Sequence, residues 1–255
     1  MHMFDTHCHI DVEEFDADRD QVLQSSKNLG VGSMLVPAVA RRYWDGLLAL
    51  CSADRGLYPA LGLHPVYIDT HTDDDLADLT GFLENGKPAA IGEIGLDYYV
   101  AGLDRERQQH FFEAQLKLAQ VHQLPVVLHV RKAHDQVLAT LEKIPVVGGF
   151  AHAFNGSLQQ ARRYVELGFK LGFGGTMTYP HSSKIHTLAR SLSLNDIVLE
   201  TDAPDMTVAS HRGERNSPEY LPECATALAA LRRTDIETVV NQTTANARLV
   251  LNIHD

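Results

Sequence analysis

The chain has 255 residues, 44% of them hydrophobic, with 33 acidic against 22 basic side chains and a formal charge of −11. That length suits one large domain or two small ones, and an α/β barrel fits within it. The acidic balance argues against a protein that coats long nucleic acid, because phosphate neutralisation needs a basic surface. It still admits an enzyme that meets a phosphate chain at one small site. Cys8, Cys51 and Cys224 form neither a CxxC pair nor a disulfide framework, which fits a reducing compartment. With no charged-then-apolar leader and no apolar run approaching a membrane span, a cytoplasmic protein without membrane contact is expected. Fourteen histidines is a high count, and two of them, His71 and His254, sit in polar surroundings and read as solvated.

Taken in chain order, short apolar runs alternate with longer amphipathic ones. Met3–His9 reads as the first strand and Arg19–Leu29 as the first helix. Strand-like Gly32–Val36 and Leu57–Leu61 are followed by helix-like Tyr43–Ala53 and Asp74–Glu84. Ala89–Ile94 leads into the clearest helix, Asp104–His122, in which Phe111, Phe112, Gln115, Leu118, Ala119 and His122 recur three or four apart. Val126–Val130, Gly148–His152, Phe169–Phe173 and Ile197–Glu200 are the remaining strands, separated by helices over Asp135–Lys143, Leu158–Leu167 and Ile185–Leu192. Gly30 and Gly168, with Pro125 and Pro145, mark helix ends. Pro218–Val250 closes the chain as one or two helices.

Eight such alternations predict a parallel sheet, and eight is the count of a closed (β/α)8 TIM barrel, expected here as one domain over residues 1–255. A doubly wound sheet is the rival. It would carry a glycine-rich phosphate loop after its first strand, whereas "CHIDVEEFDADRD" has no glycine. The longest irregular stretch, Thr201–Ser217, follows the eighth strand, where loops of that length tend to be functional.

In such a barrel, functional groups gather at the C-terminal strand ends. Here those ends carry His7 and His9, then His64, Glu93, His129, His152 and Asp202. On a strand His7 and His9 share a face and Cys8 points away, toward the helix layer. Collecting so many titratable groups without a cation would be costly, and neutral imidazole and carboxylate are natural donors to divalent metals. His7 and His9 with Asp202 form one expected site and His129 with His152 a second, with Glu93 bridging them. Paired cations acidify water for attack on phosphorus or a carbonyl carbon. Asp202 is the expected general base and Glu93 its catalytic neighbour. The donor set suits zinc, manganese, iron or nickel, and magnesium less comfortably.

Other residues have two readings each. His64, fixed before Pro65, is either a phosphate or leaving-group contact or a loop-stabilising hydrogen bond. Arg131 is either a bidentate phosphate contact on the face of His129 or, like Lys132, a helix-start surface charge. Asp5 either orients the His7 imidazole or anchors the chain. Asp97 and Asp205 read as ligand-supporting or loop-bracing groups. Tyr98 and Tyr99 either stack on a base or pack a loop. Gly172, Gly174 and Gly175 either admit substrate close to the backbone or make a turn. Arg212 and Arg215 either steer a phosphate chain or are solvated.

The stretches "FDTHCHID", "GLHP", "GEIGLDYY", "LHVRKAHD", "HAFNGS", "GFGGTMTYP" and "LETDAPDM" together resemble the TatD family of metal-dependent hydrolases, within the amidohydrolase-like superfamily. The likeness runs from Asp5 to about Asn246, is weak for HxH alone, and is strongest in GEIGLD followed by H, H and ETDAP. It points most closely to the bacterial branch of metal-dependent hydrolases. It implies a (β/α)8 fold, two divalent metal ions at His7, His9, Glu93, His129, His152 and Asp202, and hydrolysis of phosphodiesters with DNA as partner, by 3′-to-5′ deoxyribonuclease action. Related barrels bridge their metals with a carboxylated lysine; Glu93 stands there instead. The alternative is a small-molecule hydrolase acting on an amide, ester or phosphoester, and a third reading is a barrel that has lost catalysis.

Overall fold

Strands β1 (Met3–Asp5), β2 (Val31–Pro37), β3 (Leu57–Leu61), β4 (Ala90–Asp97), β5 (Val126–Arg131), β6 (Gly149–Ala151), β7 (Phe169–Phe173) and β8 (Ile197–Leu199) hydrogen-bond in that order. Every pairing is parallel. The computed structural model describes residues 2–86 and 88–253, so His254 lies outside the described residues. The Thr6 N–H donates to the Leu199 carbonyl (3.0 Å) and the Asp202 N–H to the His7 carbonyl (2.8 Å), which joins the last strand to the first. The result is the expected (β/α)8 barrel.

Helices α1 (Arg19–Asn28), α2 (Trp44–Ala53), α3 (Asp73–Asn85), α4 (Arg105–His122), α5 (His134–Lys143), α6 (Leu158–Glu166) and α7 (Ser183–Ser191) fill the crossovers. The closing segment is two helices, α8 (Leu221–Arg232) and α9 (Ile236–Leu251). Local chemistry sets several ends. Thr72 with Asp75 and Ser157 with Gln160 make capping boxes at the starts of α3 and α6. Gly30 and Gly168 leave α1 and α6 at φ 90° and 86°, a conformation that favours glycine.

Two apolar layers hold the barrel. Phe4, Leu35, Ala60, Ala90, Val127, Phe150 and Val198 fill the lumen, with Ala247 and Leu251 of α9 packed against them. The larger cluster lies between strands and helices and includes Cys8, as the alternation predicts. No helix among the described residues is long and apolar enough to cross a membrane.

Three differences from the sequence expectation bear on the site. β1 ends at Asp5, so His7 and His9 stand beyond the regular strand, and β4 runs on to Asp97. On α4 the buried face includes Gln108 and Leu116 rather than Leu118 and His122. Gln108 is drawn in because its amide pairs with the main chain of Asp97. His71 is buried, not solvated, and its Nε2 hydrogen-bonds the His64 carbonyl (2.9 Å).

Candidate metal centre

The strand ends bring His7, His9, His64, Glu93, His129, His152 and Asp202 into one cavity region at the C-terminal mouth of the barrel. The cavity holds about 720 Å³ and is lined by all of these except His7, which is fully buried beneath it. Donor atoms fall into three overlapping groups: His7, His9 and Asp202; His7, Glu93 and His152; and His64, Glu93 and His129. The first is the set the sequence predicts. His129 and His152 do not share a group with each other, and Glu93 belongs to both others.

Glu93 is central and 2% exposed. Its Oε2 lies 3.2 Å from His7 Nε2 and 3.6 Å from His9 Nε2. Its Oε1 lies 3.0 Å from His129 Nδ1 and 3.4 Å from His64 Nε2. The two oxygens of one carboxylate therefore face two different sets of imidazoles. Asp202 places Oδ1 3.6 Å from His7 Nε2 and 3.8 Å from His9 Nε2, and Oδ2 3.6 Å from His152 Nε2. It does so from a left-handed backbone (φ 59°), which aspartate tolerates better than most residues.

Hydrogen-bond partners fix which ring nitrogens carry protons. His9 Nδ1 donates to the Pro37 carbonyl (3.0 Å), which turns its Nε2 toward His7 Nε2 at 3.1 Å. His129 Nε2 donates to Asp97 Oδ2 (2.9 Å), leaving Nδ1 toward Glu93. Imidazole nitrogens and carboxylate oxygens thus converge on one another, a donor set that suits a bound cation. His64 differs: its Nδ1 accepts from the Val66 N–H (3.1 Å), so its Nε2 carries the proton and faces Glu93 as a donor. The loop hydrogen bond is therefore present on one nitrogen of His64, while the other faces Glu93 in the cavity.

The protonation balance tells the same story. Burial pushes the His64 imidazole down to about 4 and, with repulsion from His152, takes His7 well below its usual range. Burial lifts the Asp202 carboxyl to about 6. Burial opposes charge on His152, yet Asp202 and Glu200 hold it up to about 10. Burial would also raise Glu93, but His64, His7 and His129 keep it well below the carboxylate range. Without a cation the buried carboxylates recruit protons onto imidazoles; divalent ions would offset the same charge, so the residues present fit a metal site.

Two buried carboxylates hold the ligands from behind. Asp97 accepts from His129 with Oδ2 and from the Tyr99 and Val100 N–H groups with Oδ1 (2.8 and 3.0 Å), so it both orients a ligand and braces a loop. Glu200, which the sequence reading passed over, accepts from the Ala153 N–H (2.6 Å) and lies 3.2 Å from His152 Nδ1. Its place immediately before the Thr201-Asp202 pair was the available signal.

Several two-sided readings resolve. Asp5 does not touch the His7 ring. It accepts from the His7 and Thr201 N–H groups (3.2 and 2.9 Å) and the Thr201 hydroxyl (2.5 Å), anchoring the barrel seam. Arg131 ends β5, lines the cavity, and places Nη1 3.8 Å from Asp97 Oδ2 with its guanidinium over Tyr99. Tyr98 and Tyr99 do not line the cavity; arginines cover both rings. Gly174 and Gly175 open the short 3-10 turn Gly175–Thr178; a Cβ at Gly172 or Gly174 would strike Glu200, and one at Gly175 would strike the Met206 carbonyl. Arg215 is tied to Asp18 (2.9 and 2.7 Å) and clamps the last loop, while Arg212 is exposed. Asp205 braces that loop through its main chain, with its carbonyl accepting from Asn216.

An eight-stranded barrel with buried carboxylates and imidazoles at its C-terminal mouth is an architecture suited to metal-dependent hydrolysis. The chain belongs to the TatD-related DNase family, whose model matches residues 4–252. It is 41% identical over 253 residues to the uncharacterized metal-dependent hydrolase YjjV of Escherichia coli K12, covering 98% of this chain and 97% of that one. It is 38% identical over 261 residues to an uncharacterized metal-dependent hydrolase of Haemophilus influenzae, covering 97% and 98%. The crystal structure of the E. coli TatD homolog YjjV superimposes with a TM-score of 0.95 at 40% identity, covering 99% of this chain and 98% of that one. The protein is therefore a metal-dependent hydrolase of this family.

Proposed function

We propose that the protein hydrolyses phosphodiester bonds with two divalent cations, and that DNA ends are its substrate. The observation that carries this is Glu93, one oxygen of which faces His7 and His9 while the other faces His129. A carboxylate so placed would serve a cation held by His7, His9 and Asp202 on one side and one held by His129 on the other, while His152 groups with His7 and Glu93. The family name, TatD-related DNase, supports the substrate class.

Bound divalent ions would supply Lewis acidity and lower the pKa of water. The chain's own residues do the rest. Asp202, whose carboxylate opens onto the cavity, is placed to take a proton from the attacking water. His64 presents Nε2–H to the cavity, where it can donate to a phosphoryl or leaving-group oxygen. Arg131 lines the same cavity and offers its guanidinium to a non-bridging phosphate oxygen. Each turnover adds one water across a P–O bond and yields one phosphomonoester and one hydroxyl.

The test is hydrolysis of an end-labelled DNA single strand by metal-stripped protein with Mn²⁺ or Mg²⁺ restored. Asp202→Asn is the control, because asparagine also accepts the left-handed backbone at this position. Metal-dependent stepwise shortening that the control lacks is expected. A reloaded protein that leaves DNA intact but cleaves small esters or amides would replace this reading with a small-molecule one.

A further inference from the structure

Apart from the candidate ligands, the charged residues lining the cavity are Glu14, Asp205 and Arg131, and they are not mixed. Glu14 follows β1 and Asp205 follows β8, neighbours across the barrel seam, whereas Arg131 ends β5. In a ring of eight strands in sequence order, β5 stands opposite β1. The acidic side is also the more apolar one, with Val12, Tyr67 and Met206 in its wall. On the basic side Lys132 lies 4.8 Å from the Tyr99 ring that carries Arg131, and the Lys184 ammonium donates to the carbonyl of the cavity residue Asn155. Arg42, which stacks on Tyr43 and Tyr67, does not line the cavity.

Neither carboxylate on the acidic side is neutralised. Among the described residues Glu14 and Asp205 form no ion pair; Glu14 takes part through its carbonyl, which accepts from Arg215, and Asp205 through its main chain. Both line the same cavity. The Tyr67 phenol is pushed up by burial and by Tyr43, drawn down by Arg42, and raised in smaller part by these two carboxylates. A phosphate placed there would meet two solvent-exposed carboxylates at the cavity rim, while a phosphate leaving past β5 would meet a guanidinium.

Resting on the phosphodiester reading above, we infer that the cavity orients its substrate by charge. The terminal nucleoside, which carries no phosphate beyond the bond being cut, lies over β1 and β8 beside Glu14 and Asp205, and the remaining polyanion leaves past Arg131. The enzyme therefore removes units from a hydroxyl-bearing end, and a phosphate on that end repels the chain from the productive position. The volume of about 720 Å³ accommodates one nucleoside with its scissile phosphate.

The experiment compares thymidine oligonucleotides bearing a hydroxyl or a phosphate at either end, with manganese-loaded wild type and the Glu14→Gln/Asp205→Asn double variant. Hydrolysis of bis(para-nitrophenyl) phosphate is followed in parallel. A terminal phosphate carries between one and two negative charges, so at the attacked end it should slow release at least about tenfold in wild type. In the double variant that ratio should narrow to about threefold or less. Equal rates on hydroxyl and phosphate ends in wild type, or an unchanged ratio in the folded variant, would overturn the inference. A protein that cleaves bis(para-nitrophenyl) phosphate but no oligonucleotide would overturn it while leaving phosphodiester chemistry standing. A protein inert on both would remove the reading beneath it as well.

Discussion

The amide of Gln108, on α4, pairs with the main chain of Asp97 at the end of β4: the Asp97 N–H donates to Gln108 Oε1 (2.8 Å) and Gln108 Nε2 donates to the Asp97 carbonyl (3.1 Å). Two turns along the same helix Gln115 does the same for Leu63, next to His64, at 2.8 and 3.3 Å. Both glutamines are buried. A strand that ends at a functional site leaves its last main-chain groups without a ladder partner, and these amides supply one. Gln108→Leu keeps the volume but strands a buried donor and acceptor. We expect a loss of about 1–3 kcal/mol, read as a lowered denaturation midpoint in urea. An unchanged midpoint would mean that water replaces the amide at no cost.

Asp97 passes that fixed position on to the metal centre. With Oδ2 2.9 Å from His129 Nε2, it holds the ring so that Nδ1 faces Glu93. Its carboxyl sits at about 2: burial would raise it, but the hydrogen bonds from His129, Val100 and Tyr99 more than offset that. Asp97→Asn removes the charge that makes the imidazole a better donor. Metal affinity should fall about 10–100-fold, measured by competition with a chelator, with little change in secondary structure. Full affinity in this variant would show that His129 needs no partner to bind metal.

Much of this was legible because the barrel turns sequence order into geometry. Residues at the ends of successive apolar runs must meet, so His7, Glu93, His129, His152 and Asp202 could be gathered from spacing alone. The parts that escaped are those decided across the chain. The α4 stripe was drawn for apolar residues, so it placed Leu118 and His122 inward and missed that Gln108 is buried by a hydrogen bond. Strand alternation leaves Asp5 either to orient the His7 ring or to anchor the chain; β1 ends at Asp5 and the carboxylate turns to Thr201, the anchoring role. His71 looked solvated because its sequence neighbours are polar, while its partner is the His64 carbonyl.

Of the three glycines after the middle of β7, which the sequence leaves to substrate approach or a turn, Gly172 and Gly174 make room for Glu200 and Gly175 for the Met206 carbonyl. An ideal Cβ at Gly172 would lie 2.1 Å from Glu200 Oε2 and at Gly174 2.9 Å from the Glu200 carbonyl. Glu200 is 1% exposed and lies against His152 Nδ1, so it has little freedom to yield. Gly172→Ala should therefore act on the metal centre without touching it. We expect about 1–3 kcal/mol of destabilisation from overpacking, together with weakened metal binding through a displaced His152. Equal thermal stability and metal affinity in Gly172→Ala would show that Glu200 can move aside, and that it does not position His152.

Cys8 offers the opposite contrast, since it lies between two candidate ligands and takes no part in the site. It is fully buried, packs in the layer between strands and helices, and gives its N–H to the Leu35 carbonyl (3.2 Å). Burial holds its thiol well above the usual range, raises that of Cys224, and pushes that of Cys51 up to about 12. Thiolate is the reactive form, so none of the three should be alkylated by iodoacetamide at neutral pH until the chain is unfolded. Cys8→Ala loses a small apolar group from the core, at about 1 kcal/mol, while metal content and hydrolysis stay at the wild-type level. His129→Ala is the matched comparison and should lose both. Rapid alkylation of Cys8 in the native protein, or loss of metal from Cys8→Ala, would mean that the segment after β1 turns its side chains the other way, and that His7 and His9 do not share the cavity side.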